Sequence, residues 1–335
     1  MAGRDESLDI AKGFGIILVV LGHCLLGLIN SQFFPASVTW PAATIYTIYT
    51  FHMPLFFVIS GYLASGKHRP AGTTIRKLIP AIVYPYFLWS ILQGLTQVYM
   101  TKFTTSHVPI SALYKILWVP IVPYWFLYAL FLSHLGYLAV RRLSHILQLT
   151  IAVGLYLLTL LVLRRFGPVF PLIVMETTRA FVFFVLGVVS VNQIKRLEWK
   201  TALAATALFS IFATVVYWNQ WADTTVAIVS LGTACTGIAA TLSWSRLIAP
   251  HQSFVVKSLG FLGRYSMSIY VIHIILTAGV RIAMKRMGAY DNLAFTVAEI
   301  AAGTTLGIVI PLAINWVVSK LSIERWLGLQ RMETA

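Results

Sequence analysis

Charge is scarce in this sequence. Only 10% of its 335 residues are Asp, Glu, Lys or Arg, against about a quarter in soluble proteins. With 59% of residues hydrophobic, the chain has too little polar surface to clothe a water-soluble domain of this size. Cysteine is nearly missing: Cys24 and Cys235 both fall inside apolar stretches, which argues against a disulfide framework and against a zinc site. No phosphate-binding glycine loop or dinucleotide fingerprint is present. The ten-residue alternating strands of an outer-membrane barrel are also missing. No internal repeat and no Ser- or Gly-rich linker divides the chain, so one domain over 1–335 is expected, with no metal centre.

Long apolar runs are what the sequence does have, for example Gly13 to Ile29 and Ile151 to Leu163. A bilayer core about 30 Å thick takes roughly 20 helical residues. These runs predict an all-α integral membrane protein, a bundle of about ten transmembrane helices. The expected spans are about 13–30, 44–64, 80–100, 121–140, 147–163, 171–191, 201–218, 224–243, 265–284 and 294–318. Asp5, Glu6 and Asp9 precede the first run and no small-residue cleavage pattern follows, so an uncleaved first helix is expected. The segment Ile110 to Val119 reads as a short helix at the outer surface.

The net charge of +15 suggests nucleic acid until its placement is examined. With both termini cytoplasmic, seventeen of the 25 basic residues fall on the inner side and seven on the outer, with Arg179 inside a span. That asymmetry is what the positive-inside rule predicts, so the basic excess reads as topology rather than nucleic-acid binding. The densest inner loop holds Lys67, Arg69, Arg76 and Lys77. It is basic simply by lying inside, or because it meets an anionic ligand.

Ionisable side chains at bilayer depth are costly and mark function by default. Counted along helices, His23 lies about 16 Å from the inner edge, His52 about 19 Å, Arg179 about 18 Å and Glu176 about 22 Å. His273 is shallower at about 13 Å, and His134 at about 9 Å. His23, His52, Glu176 and Arg179 thus share one layer and are expected to face a common cavity. Bland readings stand beside these: a helix-bridging histidine for His134 and His273, a structural ion pair for Glu176 and Arg179. His52 precedes Pro54, which frees a backbone carbonyl and can kink the helix. A mid-membrane imidazole can accept and return a proton, or attack an activated acyl group. Its orienting carboxylate must come from another helix, and Glu176 is the acid whose depth fits. Asp9 and Lys12, one turn apart, are expected to pair at the inner mouth.

The run Leu8-Asp9-Ile10-Ala11-Lys12-Gly13, continuing through Ile16 to Gly22 and ending at His23, resembles the start of the acyltransferase-3 family of membrane acyltransferases. The spacing of Lys12 and His23, with ten residues between, matches that family's signature. Phe51-His52-Met53-Pro54 with Ser60-Gly61-Tyr62 matches equally well, followed by weaker blocks at Pro85-Tyr86 with Trp89, Tyr124-Trp125-Phe126-Leu127 and Gly263-Arg264-Tyr265-Ser266 to His273. The likeness is greatest to the fucose 4-O-acetylase-like, polysaccharide-modifying branch.

That resemblance implies acetyl-CoA, or another acyl-CoA, as a cytoplasmic co-substrate, with no tightly bound cofactor. The acceptor it implies is a sugar hydroxyl on a surface polysaccharide or a lipid-linked oligosaccharide, at a bacterial inner membrane. Catalysis would fall to His23, with His52, Glu176 and Arg179 orienting the imidazole or stabilising the oxyanion. Lys12, Arg69, Arg76 and Lys77 would meet the donor; Asp9, Tyr124, Trp125 and His273 would meet the acceptor. Trp89, Tyr124, Trp125 and Tyr128 would line a sugar vestibule, or equally anchor the membrane interface. Two departures stand out: no clean Arg-x-x-x-Arg pair in the inner loop, and no appended hydrolase-like domain within the 335 residues. Membrane lipid is the expected surrounding, and a homodimer is left open. A secondary sugar transporter fits the polar midplane too, though the missing repeated halves count against it. A family member that has lost activity and serves as a scaffold is the third reading.

Overall fold

The computed structural model describes residues 4–31, 33–34, 38–66, 69–100, 110, 113–167, 171–218, 224–287, 293–330 and 332. Among these residues every regular element is helical. In chain order the helices are α1 (Glu6–Asn30), α2 (Trp40–Ser65), α3 (Ala71–Leu78), α4 (Tyr84–Met100), α5 (Trp125–Val140), α6 (His145–Phe166), α7 (Leu172–Val189), α8 (Val191–Ile194), α9 (Trp199–Trp218), α10 (Thr224–Ile248), α11 (Phe254–Arg264), α12 (Ser266–Arg286) and α13 (Leu293–Lys320). A helix lies over each of the ten expected spans. Among the described residues eight helices are long and apolar enough to cross a membrane, and Trp125–Val140 is a shorter apolar helix. The chain is an all-α integral membrane protein.

Exposed side chains agree with a lipid solvent. Leu157, Leu158 and Leu161 on α6, and Leu208 and Ile211 on α9, are all exposed. Continuous apolar surface of this kind suits lipid rather than water. The backbone hydrogen bonds are meanwhile closed within each helix, as hydrocarbon demands.

Three local expectations change. The third span does not start at 80: Ala71–Met100 is one helical run of 30 residues, with a π turn at Ile79–Val83 joining α3 to α4. Pro80 lies in that turn and has no N–H to give the α-helical ladder, which favours the altered winding there. The surface helix expected over Ile110 to Val119 is only a 3-10 turn at Tyr114–Leu117; residues 111–112 of that stretch, like Lys67 and Lys102, lie outside the described residues. Conversely, a stretch read as inner loop forms α11. Its start is capped by the Ser253 hydroxyl, which accepts from the Val256 N–H at 3.3 Å.

The helices fall into two compact units, interleaved in sequence. Unit one comprises Met1–Phe56, Asn192–Leu321 and Gln330–Ala335; unit two comprises Phe57–Val191 and Ser322–Leu329. In unit one, α1 is the central element, packed against α10, α11, α12 and α13. Glycines allow this closeness. A Cβ on Gly13 would overlap the Leu259 carbonyl of α11, and one on Gly263 would overlap the Asp9 carbonyl of α1. Small residues of this sort let membrane helices approach backbone to backbone. In unit two, Gly61 and Gly187 do the same reciprocally between the end of α2 and α7, against the carbonyls of Phe184 and Val58. The Thr159 and Thr178 hydroxyls hydrogen-bond across α6 and α7 at 2.7 Å.

Candidate functional site

The polar centre of unit one is built on α1, α2 and α12. Each contributes a histidine whose Nδ1 faces a backbone carbonyl of its own helix one turn back. His23 Nδ1 lies 2.9 Å from Val19 O, and His52 Nδ1 lies 2.8 Å from Ile48 O. His273 Nδ1 lies 2.7 Å from Tyr270 O and 3.2 Å from Ile269 O. A carbonyl oxygen only accepts, so each Nδ1 carries the proton and each Nε2 holds a lone pair. The helix backbone thereby fixes the tautomer of all three rings.

These rings are neighbours. His273 Nε2 lies 3.4 Å from His23 Nδ1, with ring centroids 5.1 Å apart. The His23 N–H is thus shared between Val19 O and the His273 lone pair. Tyr49 stands among them, its ring 6.0 Å from His23 and 4.9 Å from His52. Its hydroxyl is buried and has no hydrogen-bond partner among the described residues. His52 and His273 are buried at 2% and 0% exposure, whereas His23 is half-buried. No described side chain hydrogen-bonds the Nε2 of His23. His23 therefore presents a free lone pair, backed by a second imidazole.

Sequence reading missed one acid in this unit. Glu299 of α13 is 1% exposed, and its Oε2 accepts from the Cys24 thiol at 3.5 Å. Its Oε1 has no hydrogen-bond partner among the described residues. The Arg281 guanidinium lies against Gly27, where a Cβ would displace it, and is an electrostatic neighbour of both Glu299 and Cys24. Cys24 and Gly27 follow His23 on α1, so this second polar cluster begins directly beside the catalytic candidate and extends about one helical turn beyond it. The signal that could have found it is a carboxylate inside the apolar run of the last expected span.

At the base of α1, Asp9 is 4% exposed and bonded by two cations. Lys12 Nζ approaches its Oδ1 at 2.6 Å and Arg4 Nε its Oδ2 at 2.5 Å. The expected Asp9–Lys12 pair is present, with Arg4 as an unforeseen third member.

The remaining expected residues belong to unit two. Glu176 and Arg179 pair with each other at 3.3 Å, and both are partly exposed. His134 donates to Leu130 O at 2.9 Å and packs edge-on to Phe184 at 4.7 Å, as a helix-bound core histidine does. Tyr124 is fully buried, and Trp125, half-buried, opens α5. Trp89 Nε1 donates to Leu327 O at 2.9 Å and Tyr128 Oη to Leu117 O at 2.8 Å, so both hold backbone in place. Arg69, Arg76 and Lys77 are exposed, the last two in the final turn of α3. In unit one, α2 runs past His52 and through Pro54 as one element. Among the described residues no group of three His, Cys, Asp or Glu is arranged to hold a metal ion.

Comparison with known proteins adds the following. The acyltransferase-3 family model, described as an acyltransferase domain, matches residues 5–316. The nodulation protein NolL of Mesorhizobium japonicum is 32% identical over 155 residues, covering 44% of this chain and 38% of that protein. NolL of Sinorhizobium fredii is 52% identical over 65 residues, covering 19% of this chain and 16% of that protein. The chain therefore spans well under half the length of these curated relatives. No solved structure matches.

Proposed function

The chain belongs to the acyltransferase-3 family of membrane acyltransferases, and from that premise we propose that His23 carries acyl transfer from acyl-CoA to a sugar hydroxyl. The observation that carries this reading is the open Nε2 of His23, with its Nδ1–H held by Val19 O and His273. In the direct reaction, Nε2 removes the acceptor's hydroxyl proton as the oxygen attacks the thioester carbonyl. The carbon–sulfur bond then breaks, the sugar ester forms, and the thiolate recovers the proton from His23. The imidazolium formed on the way is stabilised at Nδ1 by two acceptors that need not move.

A relay variant uses the same lone pair differently. Nε2 attacks the thioester carbonyl, the carbon–sulfur bond breaks, and CoA leaves with the Nδ1 proton of the acyl-imidazolium. The acceptor hydroxyl then attacks the acyl carbon, the carbon–nitrogen bond breaks, and the hydroxyl proton returns to the imidazole. The depth of His23, about 16 Å from the inner edge, suits an acceptor arriving from the opposite side. Both termini are proposed to lie in the cytoplasm, a reading supported by the distribution of basic residues. The proposed membrane is the bacterial inner membrane that the family likeness implies. Lys12, Arg69, Arg76 and Lys77 remain proposed donor contacts. Acetyl is the proposed acyl group, and a surface polysaccharide or its lipid-linked precursor the proposed acceptor.

The test is rapid mixing of the purified protein with labelled acetyl-CoA alone, quenched within milliseconds. Labelled protein that is lost on adding acceptor, with the label moving to sugar, supports the relay. Label appearing in sugar with none on protein supports the direct route. No label on either counts against the proposal, and sugar uptake independent of acetyl-CoA in proteoliposomes would favour a transporter.

A further inference from the structure

A second site lies beneath the histidines, at the foot of α1. A cavity of about 420 Å³ opens between the start of α1, the turn after α10 and one face of α11. Its ionisable lining comprises Arg4, Glu6, Asp9, His251, Lys257 and Arg264. Asp9 is neutralised by Arg4 and Lys12, which leaves Glu6 as the one acid not paired in this way. Lys257 and Arg264 form no ion pair among the described residues. They lie seven residues apart, on one face of α11, about 10 Å along the axis. Between them Gly260 lines the cavity, and a Cβ there would meet only the Ile10 side chain, at 3.9 Å. The floor between the two cations is thus left open for a ligand.

We propose that this cavity binds the phosphate groups of the acyl donor's nucleotide, with Lys257 and Arg264 on its 3′-phosphate and pyrophosphate; this rests on the acyl-CoA reading above. Two cations without ion-pair partners among the described residues, separated by Gly260, suit an anion with phosphates on both sides of a ribose. Geometry links the site to the chemistry. Ile10 borders the cavity, and thirteen residues, about 20 Å of the same helix, separate it from His23. That length is of the order an extended pantetheine arm covers, so a nucleotide held here would leave its thioester end at the depth of His23. Gly13 and Gly263 clamp α11 onto α1, so the phosphate cradle and the histidine are referred to one rigid helix. Arg69, Arg76 and Lys77, the expected donor contacts, are not among its lining residues.

An anionic lipid headgroup offers the same phosphate chemistry, so the experiment separates the two. The full-length protein in phosphatidylcholine nanodiscs is titrated with CoA and with dephospho-CoA, which lacks the 3′-phosphate. The wild type is expected to prefer CoA. The double variant Lys257→Ala/Arg264→Ala is expected to bind CoA about 10- to 100-fold more weakly, with the preference for CoA lost. Because both side chains are exposed, its thermal midpoint should not move. Replacing part of the lipid with phosphatidylglycerol should leave CoA affinity nearly unchanged. If the wild type binds CoA and the double variant binds it equally well, the proposal fails while the acyl-CoA reading stands. If the wild type binds no CoA, both fall. If phosphatidylglycerol displaces CoA through Lys257 and Arg264, the cavity is a lipid site and the proposal is overturned.

Discussion

Nε2 of His273 lies 3.4 Å from Nδ1 of His23, although the two residues are 250 positions apart in sequence. The contact makes His273 a positioning residue for His23, through the face opposite the reactive nitrogen. His273→Ala should therefore lower the turnover rate by about 10-fold, the value of one hydrogen bond to an imidazolium. Affinity for the donor should be unchanged. Steady-state kinetics with separate measurement of donor binding checks this; a change confined to KM would assign His273 to substrate binding instead.

Asp9 is held by two cations of unequal burial. Arg4 has a side chain 59% exposed, and that of Lys12 is 21% exposed. Asp9→Asn removes the partner of both and should cost about 1.5–3 kcal/mol, the range for charged hydrogen bonds. Arg4→Gln leaves the Lys12 bond in place and should cost under about 1 kcal/mol. Thermal unfolding in detergent at low and high salt compares the two. Equal losses would mean that Lys12 contributes nothing at this corner.

Backbone contact between α1 and α11 gives a third expectation. Gly263→Ala must push the Asp9 carbonyl away, and should lower stability by about 1–3 kcal/mol, the cost of overpacking. Gly279→Ala is the control: no neighbour lies within 4 Å of a Cβ there, and alanine in a helix interior is favoured over glycine. The control should unfold at or slightly above the wild-type temperature. A neutral Gly263→Ala would show that α11 is loosely held.

The run of apolar stretches was legible because hydrocarbon leaves helices little alternative, and each predicted span holds a helix. What depth counting cannot give is azimuth. It places His23 and His273 at similar heights without showing that their helices turn these residues toward each other. Nor does it show that Glu176 and Arg179, which share that depth, pair with each other within unit two. Glu299 escaped because six residues separate it from the start of α13, and acids near helix ends usually reach water. Its burial comes from packing against Cys24, which only tertiary structure reveals. The helix α11 was hidden for another reason: at 11 residues it is too short to register as a span, and its basic residues read as loop.

The most direct test of the account compares wild type with His23→Ala, in membranes at matched expression. Acetyl transfer from labelled acetyl-CoA into host polysaccharide or lipid-linked sugars is measured, along with CoA binding by each protein. The account predicts label with the wild type and a loss of about 10²-fold or more with the variant, as removal of a general base or nucleophile requires. CoA affinity should stay the same in both. Equal transfer by the two proteins would contradict the central role given to His23.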